Sequence, residues 1–231
     1  VIRLRAVRAV LTDIEGTTTR LEFVQQELFP YARRELPAYV RAHESSLGDI
    51  LPAARAAAGD ATLPTEQLIE QLLRWIDEDR KLTALKELQG RIWRAGYESG
   101  ELRGHVYEDA LRALRSWHSR GIGLYIYSSG SVQAQRLLFS HSTAGDLTAL
   151  ISGYFDTTSG AKLEPESYRR IADAIGLPAS AIAFLSDSGG ETAAGAQAGM
   201  QTVRLVRAGP LPLAGEPSAR CFDEIELELS V

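Results

Sequence analysis

The feature that most constrains this chain is a short apolar run, Val7 to Ile14, which carries Asp13 near its end and passes through Glu15 into Gly16-Thr17-Thr18-Thr19. A run of strand length without polar alternation reads as a strand buried on both faces, a parallel-sheet position. Polar residues at its end then sit where open parallel sheets bind ligands, outside the carboxyl ends of the strands. The pattern recurs. Gly123 to Tyr127 ends in Ser128-Ser129-Gly130, Phe155 lies in a short strand ahead of Thr157-Thr158-Ser159-Gly160, and Ala181 to Leu185 ends in Ser186-Asp187. Thr202 to Val206 is the last clear strand. Helical spacing fills the intervals: Leu111, Leu114 and Trp117 before Gly121; Val132 to Phe139; Tyr168, Ile171, Ala172 and Ile175 with Gly176 as C-cap; Ala193 to Ala198 before Gly199. Strands alternating with helices predict an α/β fold on a parallel sheet.

One stretch breaks the alternation. Leu21, Val24, Leu28 and Tyr31, then Leu68, Leu72, Trp75 and Ile76, then Leu82, Leu85, Leu88, Ile92 and Trp93 recur at helical spacing, with loops near Gly59–Pro64 and Gly100–Gly104. The expected organisation is a catalytic core of residues 1–19 and 105–231, with residues 20–104 inserted after the first strand as an all-helical cap. Trp75, Trp93 and Trp117 fall on apolar helix faces and are expected in the core.

Composition removes whole classes of function. Thirty acidic against 25 basic side chains give a net charge of −5 without any basic block, which argues against a nucleic-acid or anionic-membrane partner. The lone Cys221 cannot form an internal disulfide or a Cys-based zinc site. His43, His105, His118 and His141 lack metal-ligand spacing. No apolar run reaches the roughly 18 residues of a membrane span. Val1 to Val10, with Arg3, Arg5 and Arg8 among its apolar residues, does not read as a signal peptide. A cytoplasmic protein is the expectation, and, without a heptad or interface patch, a monomer. The basic residues divide into 22 Arg and three Lys, namely Lys81, Lys86 and Lys162. Coding bias accounts for the arginines and leaves each lysine to be explained.

The strand ends carry a consistent chemistry. Asp13, Glu15, Ser128, Ser129, Lys162, Asp187 and Glu191 converge on one rim of the predicted sheet. Asp13 and Asp187 are hard oxygen ligands suited to Mg²⁺, which takes few carboxylates and fills its shell with water and phosphate oxygen. A carboxylate can also attack phosphorus. Glu15, two residues on in an extended segment, points to the same side as Asp13 and suits a general acid or base. Ser128 and the backbone N–H groups after it, ahead of a helix, suit phosphoryl oxygens. Lys162 places a compact positive charge against a transferring phosphoryl group. Glu191 reads as support for Lys162 rather than as a ligand. The set fits metal-assisted cleavage of a phosphate ester.

Asp13-x-Glu15-Gly16-Thr17-Thr18, Ser128-Ser129-Gly130, Lys162 and Ser186-Asp187-x-x-x-Glu191 resemble the four motifs of the haloacid-dehalogenase (HAD) phosphohydrolases. Longer strings are similar to one branch, the enolase-phosphatases (acireductone synthases) of methionine salvage: Leu28-Phe29-Pro30-Tyr31, Asp79-Arg80-Lys81, Leu88-Gln89-Gly90, Tyr125-Ile126-Tyr127-Ser128-Ser129-Gly130-Ser131, Leu138-Phe139-x-His141-Ser142-Thr143-x-Gly145-Asp146 and Ser167-Tyr168-Arg169. The likeness spans nearly the whole chain.

The resemblance implies a Rossmann-like HAD core with an inserted helical cap. It implies a Mg²⁺-dependent enzyme that enolises the phosphorylated diketone 2,3-diketo-5-methylthiopentyl 1-phosphate and then releases phosphate to leave the acireductone. Asp13 would be nucleophile and metal ligand, and Asp187 a ligand. Glu15 would reach the metal, with its backbone carbonyl as one route. Ser128, Ser129 and Lys162 would bind phosphate. Most HAD phosphatases have Asp where this chain has Glu15; the extra methylene moves the carboxylate by ~1.5 Å. Enolisation also needs a base at C1, and Lys86 is preferred over Lys81, the two lying five apart on a predicted helix of the cap. The alternatives are a HAD phosphatase or dehalogenase without enolase activity, or a binding protein on an inactive HAD fold; the intact motif carboxylates speak against the last.

Overall fold

A computed structural model describes residues 1–212 and 215–228. The chain divides into two compact units, Val1–Leu21 with Arg103–Val231, and Glu22–Leu102.

The first unit is built on a parallel sheet. In chain order the strands are β1 (Ile2–Leu4), β2 (Ala9–Thr12), β3 (Gly123–Tyr127), β4 (Gly153–Phe155), β5 (Ile182–Ser186), β6 (Gln201–Leu205), β7 (Ser218–Ala219) and β8 (Ile225–Leu227). Six form one sheet in the order β4-β3-β2-β5-β6-β7, every pair parallel. β1 and β8 make a separate parallel pair. The run read as the first strand is thus the second: a three-residue strand precedes it, and the insertion follows β2. The short β1, β7 and β8 escaped the sequence reading because two or three residues carry no period.

β2 is buried at all four residues, as its unbroken apolar run requires. Ala9, Leu11, Tyr127, Ile182 and Phe184 form one face and pack with Tyr168, Ile171 and Ala172 of a helix over Pro165–Ile175 and Ala194 of a helix over Gly189–Gln197. Val10, Leu124, Ile126, Ala183 and Leu185, of opposite parity, are buried too. Both faces are therefore covered, the usual condition of a parallel sheet. From β2 the chain builds outward on one side through β3 and β4, then crosses to build β5 and β6 on the other. That reversal beside β2 is a topological switch point, and it opens a crevice at the end of the strand that carries Asp13.

The second unit contains four α-helices, α1 (Phe29–His43), α2 (Ile50–Ala57), α3 (Thr65–Asp77) and α4 (Thr83–Ser99), with a π-helical run over Phe23–Leu28 leading into α1. Leu68, Leu72 and Trp75 of α3 and Leu85, Leu88, Ile92 and Trp93 of α4 are buried, as their spacing predicts. Trp93 Nε1 donates to the Leu28 carbonyl at 2.9 Å. Gly100, at φ +81°, ends α4 in the left-handed conformation. Lys81 lies in the loop before α4, where it pairs with Asp79; the five-residue helical spacing expected between Lys81 and Lys86 does not exist. Among the described residues no helix is long and apolar enough to cross a membrane.

In the sheet unit the chain past Arg103 is fastened at Gly104, whose N–H donates to the His141 carbonyl at 2.8 Å and whose carbonyl accepts from Thr143 N–H at 2.9 Å. A Cβ at Gly104 would lie 2.1 Å from the Leu138 carbonyl oxygen. Backbone oxygen cannot swing aside as a side chain can. Gly104→Ala is therefore expected to cost about 1–3 kcal/mol, read as a lower urea midpoint at unchanged m-value.

Candidate active site

The sheet register brings the site together before any side chain is considered. Thr12 pairs with Ile126 on one side and Leu185 on the other. Asp13 is therefore level with Tyr127 and Ser186, while Ser128 and Asp187 each lie one residue beyond.

The loop after β2 is held by its threonines. Thr17, Thr18 and Thr19 are fully buried. Thr18 Oγ1 donates to the Asp13 carbonyl at 3.2 Å and Thr19 Oγ1 to the His105 carbonyl at 2.7 Å. Thr17 Oγ1 accepts from Asp187 N–H at 3.0 Å, tying the β2 loop to the β5 loop. The Thr17 carbonyl accepts from Arg207 through Nη2 at 2.6 Å and Nε at 3.2 Å. Arg207 also meets Asp109 at 2.6 Å and stacks 4.1 Å from the centroid of Tyr107. The turn itself depends on Gly16, at φ +69°, where an added Cβ would fall 2.2 Å from an Asp187 carboxylate oxygen.

Lys162 is the hub. Its Nζ lies 2.6 Å from Asp13 Oδ1 and 2.7 Å from Glu191 Oε2, and the same Glu191 oxygen accepts from Ser186 Oγ at 2.8 Å. Side-chain exposure is 13%, 7% and 15% for Lys162, Asp13 and Glu191, so these are buried ion pairs, in which removing one partner is costly. Burial pushes the Asp13 carboxyl up to about 7 against the pull of Lys162, with Glu191 adding to the rise. Burial works to lower the Lys162 ammonium, but Asp13 and Glu191 outweigh it and hold its pKa above the ordinary lysine value. Asp187 is raised by burial and then by Glu191.

Ser128 is buried, and its Oγ accepts from Gly130 N–H at 3.3 Å. The N-cap of the following helix, Val132–Ser140, is Ser131, which leaves Ser128 outside that role. Ser129 is exposed. Glu15 is half-buried on the same loop as Asp13. The structure thus joins Asp13, Lys162, Asp187 and Glu191, sets Glu15, Ser128 and Ser129 on the adjoining strand ends, and leaves Lys86, exposed on α4, in the other unit. Arg207, Asp109, Tyr127 and Tyr168 were missed. The triple threonine and the tyrosine directly before Ser128 were the available signals; nothing in sequence relates Arg207 to Thr17.

Three carboxylates, Asp13, Asp187 and Glu191, stand against one ammonium, which leaves two negative charges uncompensated when all are ionised. No side chain among the described residues hydrogen-bonds the Asp187 carboxylate, and no group of three or more His, Cys, Asp or Glu side chains there forms a metal cage. Two hard carboxylates and an excess of negative charge are a donor set fit for a dication that keeps part of its shell for water and substrate.

Residues 7–199 match the model of the haloacid dehalogenase-like hydrolases, and the chain belongs to that family. Among solved structures, the UTR4 protein of Saccharomyces cerevisiae superposes with a TM-score of 0.81 at 35% identity, covering 94% of this chain and 99% of that one. Within the family the chain groups with the enolase-phosphatases. It is 52% identical over 225 residues to enolase-phosphatase E1 of Methylococcus capsulatus, covering 96% of this chain and 99% of the relative. It is 54% identical over 224 residues to that of Pseudomonas aeruginosa strain LESB58, with the same coverage. A HAD phosphatase from Thermococcus onnurineus, TM-score 0.61 at 18% identity, shares the fold.

Gly16→Ala forces an L-residue into the left-handed region, at about 1–2 kcal/mol, and displaces Asp187. A fall in thermal stability together with a loss of about 100-fold in phosphate release is the expected outcome, measured on one preparation by thermal unfolding and phosphate assay.

Proposed function

We propose that the protein enolises 2,3-diketo-5-methylthiopentyl 1-phosphate and hydrolyses the resulting enol phosphate to 1,2-dihydroxy-3-keto-5-methylthiopentene and inorganic phosphate, with Mg²⁺ as its metal. The observation that carries this is the buried Lys162 bridge between Asp13 and Glu191 at the switch point of the sheet, in a chain more than half identical to enolase-phosphatases. The same likeness supports a role in methionine salvage on a free small molecule; the sequence composition is the ground for proposing a cytoplasmic monomer.

Asp13, Asp187 and the Glu15 backbone carbonyl are assigned to the metal, which supplies charge neutralisation at the phosphoryl oxygens and polarisation of the substrate carbonyl. In the hydrolytic half, a carboxylate oxygen of Asp13 attacks phosphorus as the ester P–O bond breaks. Glu15 delivers a proton to the departing enol oxygen, then takes one from the water that cleaves the aspartyl phosphate. Lys162 favours the ionised form of Asp13 against the burial that opposes it, and places positive charge beside the phosphoryl group. Ser128 Oγ, Ser129 and the N–H groups ahead of the Val132 helix hold phosphoryl oxygens. In the first half, the C1 proton is assigned to Lys86, with Lys81 as the alternative, and Glu15 assists.

The direct test is phosphate release from the diketone phosphate with Mg²⁺ present, followed beside enol absorbance. Wild type gives both signals and Asp13→Asn gives no phosphate. Phosphate release without an enol phase would reduce the protein to a plain phosphatase, and no release at all would refute the enzyme reading. Lys86→Ala is expected to slow the enol phase by at least tenfold, with Lys81→Ala as its control. Glu15→Asp is expected to slow enolisation more than phosphate release from preformed enol phosphate; equal losses would remove Glu15 from the first half.

Metal binding carries its own pH signature. A proton on Asp13 competes with the metal, so affinity falls as pH drops below the raised pKa near 7 and is flat above it. Calorimetric titration with Mg²⁺ should show about a tenfold loss per pH unit below 7. A constant affinity from pH 5.5 to 8 would show that no metal ligand titrates in that range.

A further inference from the structure

The loop that delivers Lys162 is clamped in an unusual way. Three consecutive backbone carbonyls each accept a hydrogen bond from a side-chain hydroxyl: Gly160 from Tyr127 at 2.9 Å, Ala161 from Ser167 at 2.8 Å and Lys162 itself from Tyr168 at 2.7 Å. The donors come from two elements. Tyr127 is the last residue of β3, directly before Ser128, while Ser167 and Tyr168 lie in the first turn of the Pro165–Ile175 helix. Tyr127 and Tyr168 are fully buried and Ser167 nearly so. Their rings meet edge to face, with centroids 5.6 Å apart, and the Lys162 ammonium sits 5.7 Å from the Tyr127 centroid. Burial raises both phenols, so each stays protonated and remains a donor across the working pH range. Gly160 is fitted to the same clamp, because a Cβ there would lie 2.1 Å from Ser167 Oγ.

We infer that Tyr127, Ser167 and Tyr168 are positioning residues that act through Lys162, and that Tyr168 has the largest effect because it holds the lysine's own carbonyl. The inference rests on the role given to Lys162 above. A lysine has a flexible four-carbon stem, and holding its ammonium within hydrogen-bond distance of two carboxylates requires a fixed starting point. Side-chain pairing alone does not supply one, and the loop's own backbone bonds, Gly160 N–H to the Thr157 carbonyl at 3.2 Å and Glu164 N–H to the Ala161 carbonyl at 3.1 Å, are local turns that do not tie it to the sheet. Fixing the backbone at Lys162 and the two residues before it does, and the register of β3 then ties that lysine to the strand end bearing Ser128. Tyr127, Ser167 and Tyr168, the residues of those motif strings otherwise without a role, are accounted for by this clamp.

Tyr168→Phe keeps the ring and removes only the hydroxyl. The expected result is a fall of about tenfold in kcat, with KM for the phosphorylated substrate within about twofold. A hydroxyl acting through Lys162 has nothing left to position once the ammonium is gone, so Lys162→Met/Tyr168→Phe should be no slower than Lys162→Met alone. A second measurement does not use activity. With three lysines in the chain, the Lys162 ammonium ¹H–¹⁵N signal is identified by its loss in Lys162→Met. Tyr168→Phe should broaden that signal and speed its exchange with water by about tenfold. Wild-type kcat with an unchanged ammonium signal in Tyr168→Phe would overturn the inference, as would the same fold-loss in the presence and absence of Lys162. Should Lys162→Met retain full activity, the catalytic reading of Lys162 fails while the ammonium signal still decides the clamp; should it be too slow to measure, that signal decides alone.

Discussion

The buried bridge of Lys162 to Asp13 and Glu191 is the interaction on which the rest of the site depends. Two carboxylates and an ammonium have left water almost completely, and such groups recover their desolvation cost only through close, well-directed partners. The distances of 2.6 and 2.7 Å meet that condition. The compensation is still incomplete, since the Asp13 carboxyl is raised to about 7. Three carboxylates against one ammonium leave an excess of negative charge, which is the condition a dication relieves. The fold makes this possible by reversing direction beside β2, so that loops distant in sequence share one rim.

The geometry of that rim is then fixed from below. Thr17 links the β2 loop to Asp187 through its hydroxyl and passes its carbonyl to Arg207, which Asp109 and the Tyr107 ring hold in turn. Asp109 also accepts from Phe222 N–H at 2.7 Å, so the chain beyond β6 contributes to the position of a loop near the opposite end of the sequence. Tyr127, Ser167 and Tyr168 do the same for the lysine loop. The loops that carry Asp13, Asp187 and Lys162 therefore rest on hydroxyls, carbonyls and one arginine–carboxylate pair.

Legibility in the sequence followed period and locality. The β2, β3 and β5 strands, α1, α3 and α4 and the left-handed Gly176 were readable because apolar spacing or a single residue's conformational freedom determines them; α2 carried no spacing that stood out. Asp13, Lys162, Asp187 and Glu191 were readable as a set because four strand ends carried compatible chemistry. Lys81 was misplaced onto a helix: Asp79 at φ +52° makes a turn there, which apolar spacing does not register. The π-helical run over Phe23–Leu28 escaped because at such length its apolar spacing is indistinguishable from that of an α-helix. Arg207 and Asp109 were invisible for a different reason. They are ordinary surface types by composition, and only the folded sheet brings a residue after β6 beneath the β2 loop.

Two largely buried cations, Arg207 and Lys162, show why an arginine-rich chain keeps a lysine here. Arg207 meets one carbonyl through two nitrogens, a carboxylate through a third and an aromatic face through its plane, a task for a rigid fork. Lys162 has to place one compact charge between two carboxylate oxygens, one at the end of β2 and one in the Gly189–Gln197 helix, and it engages only one oxygen of Asp13. A planar guanidinium in that position would tend to engage a carboxylate through both of its oxygens, leaving Asp13 no free oxygen for the proposed reaction. Residue choice at these two positions is therefore set by the shape of the charge, and the near-absence of lysine elsewhere makes Lys162 the place in the chain where that preference is easiest to see.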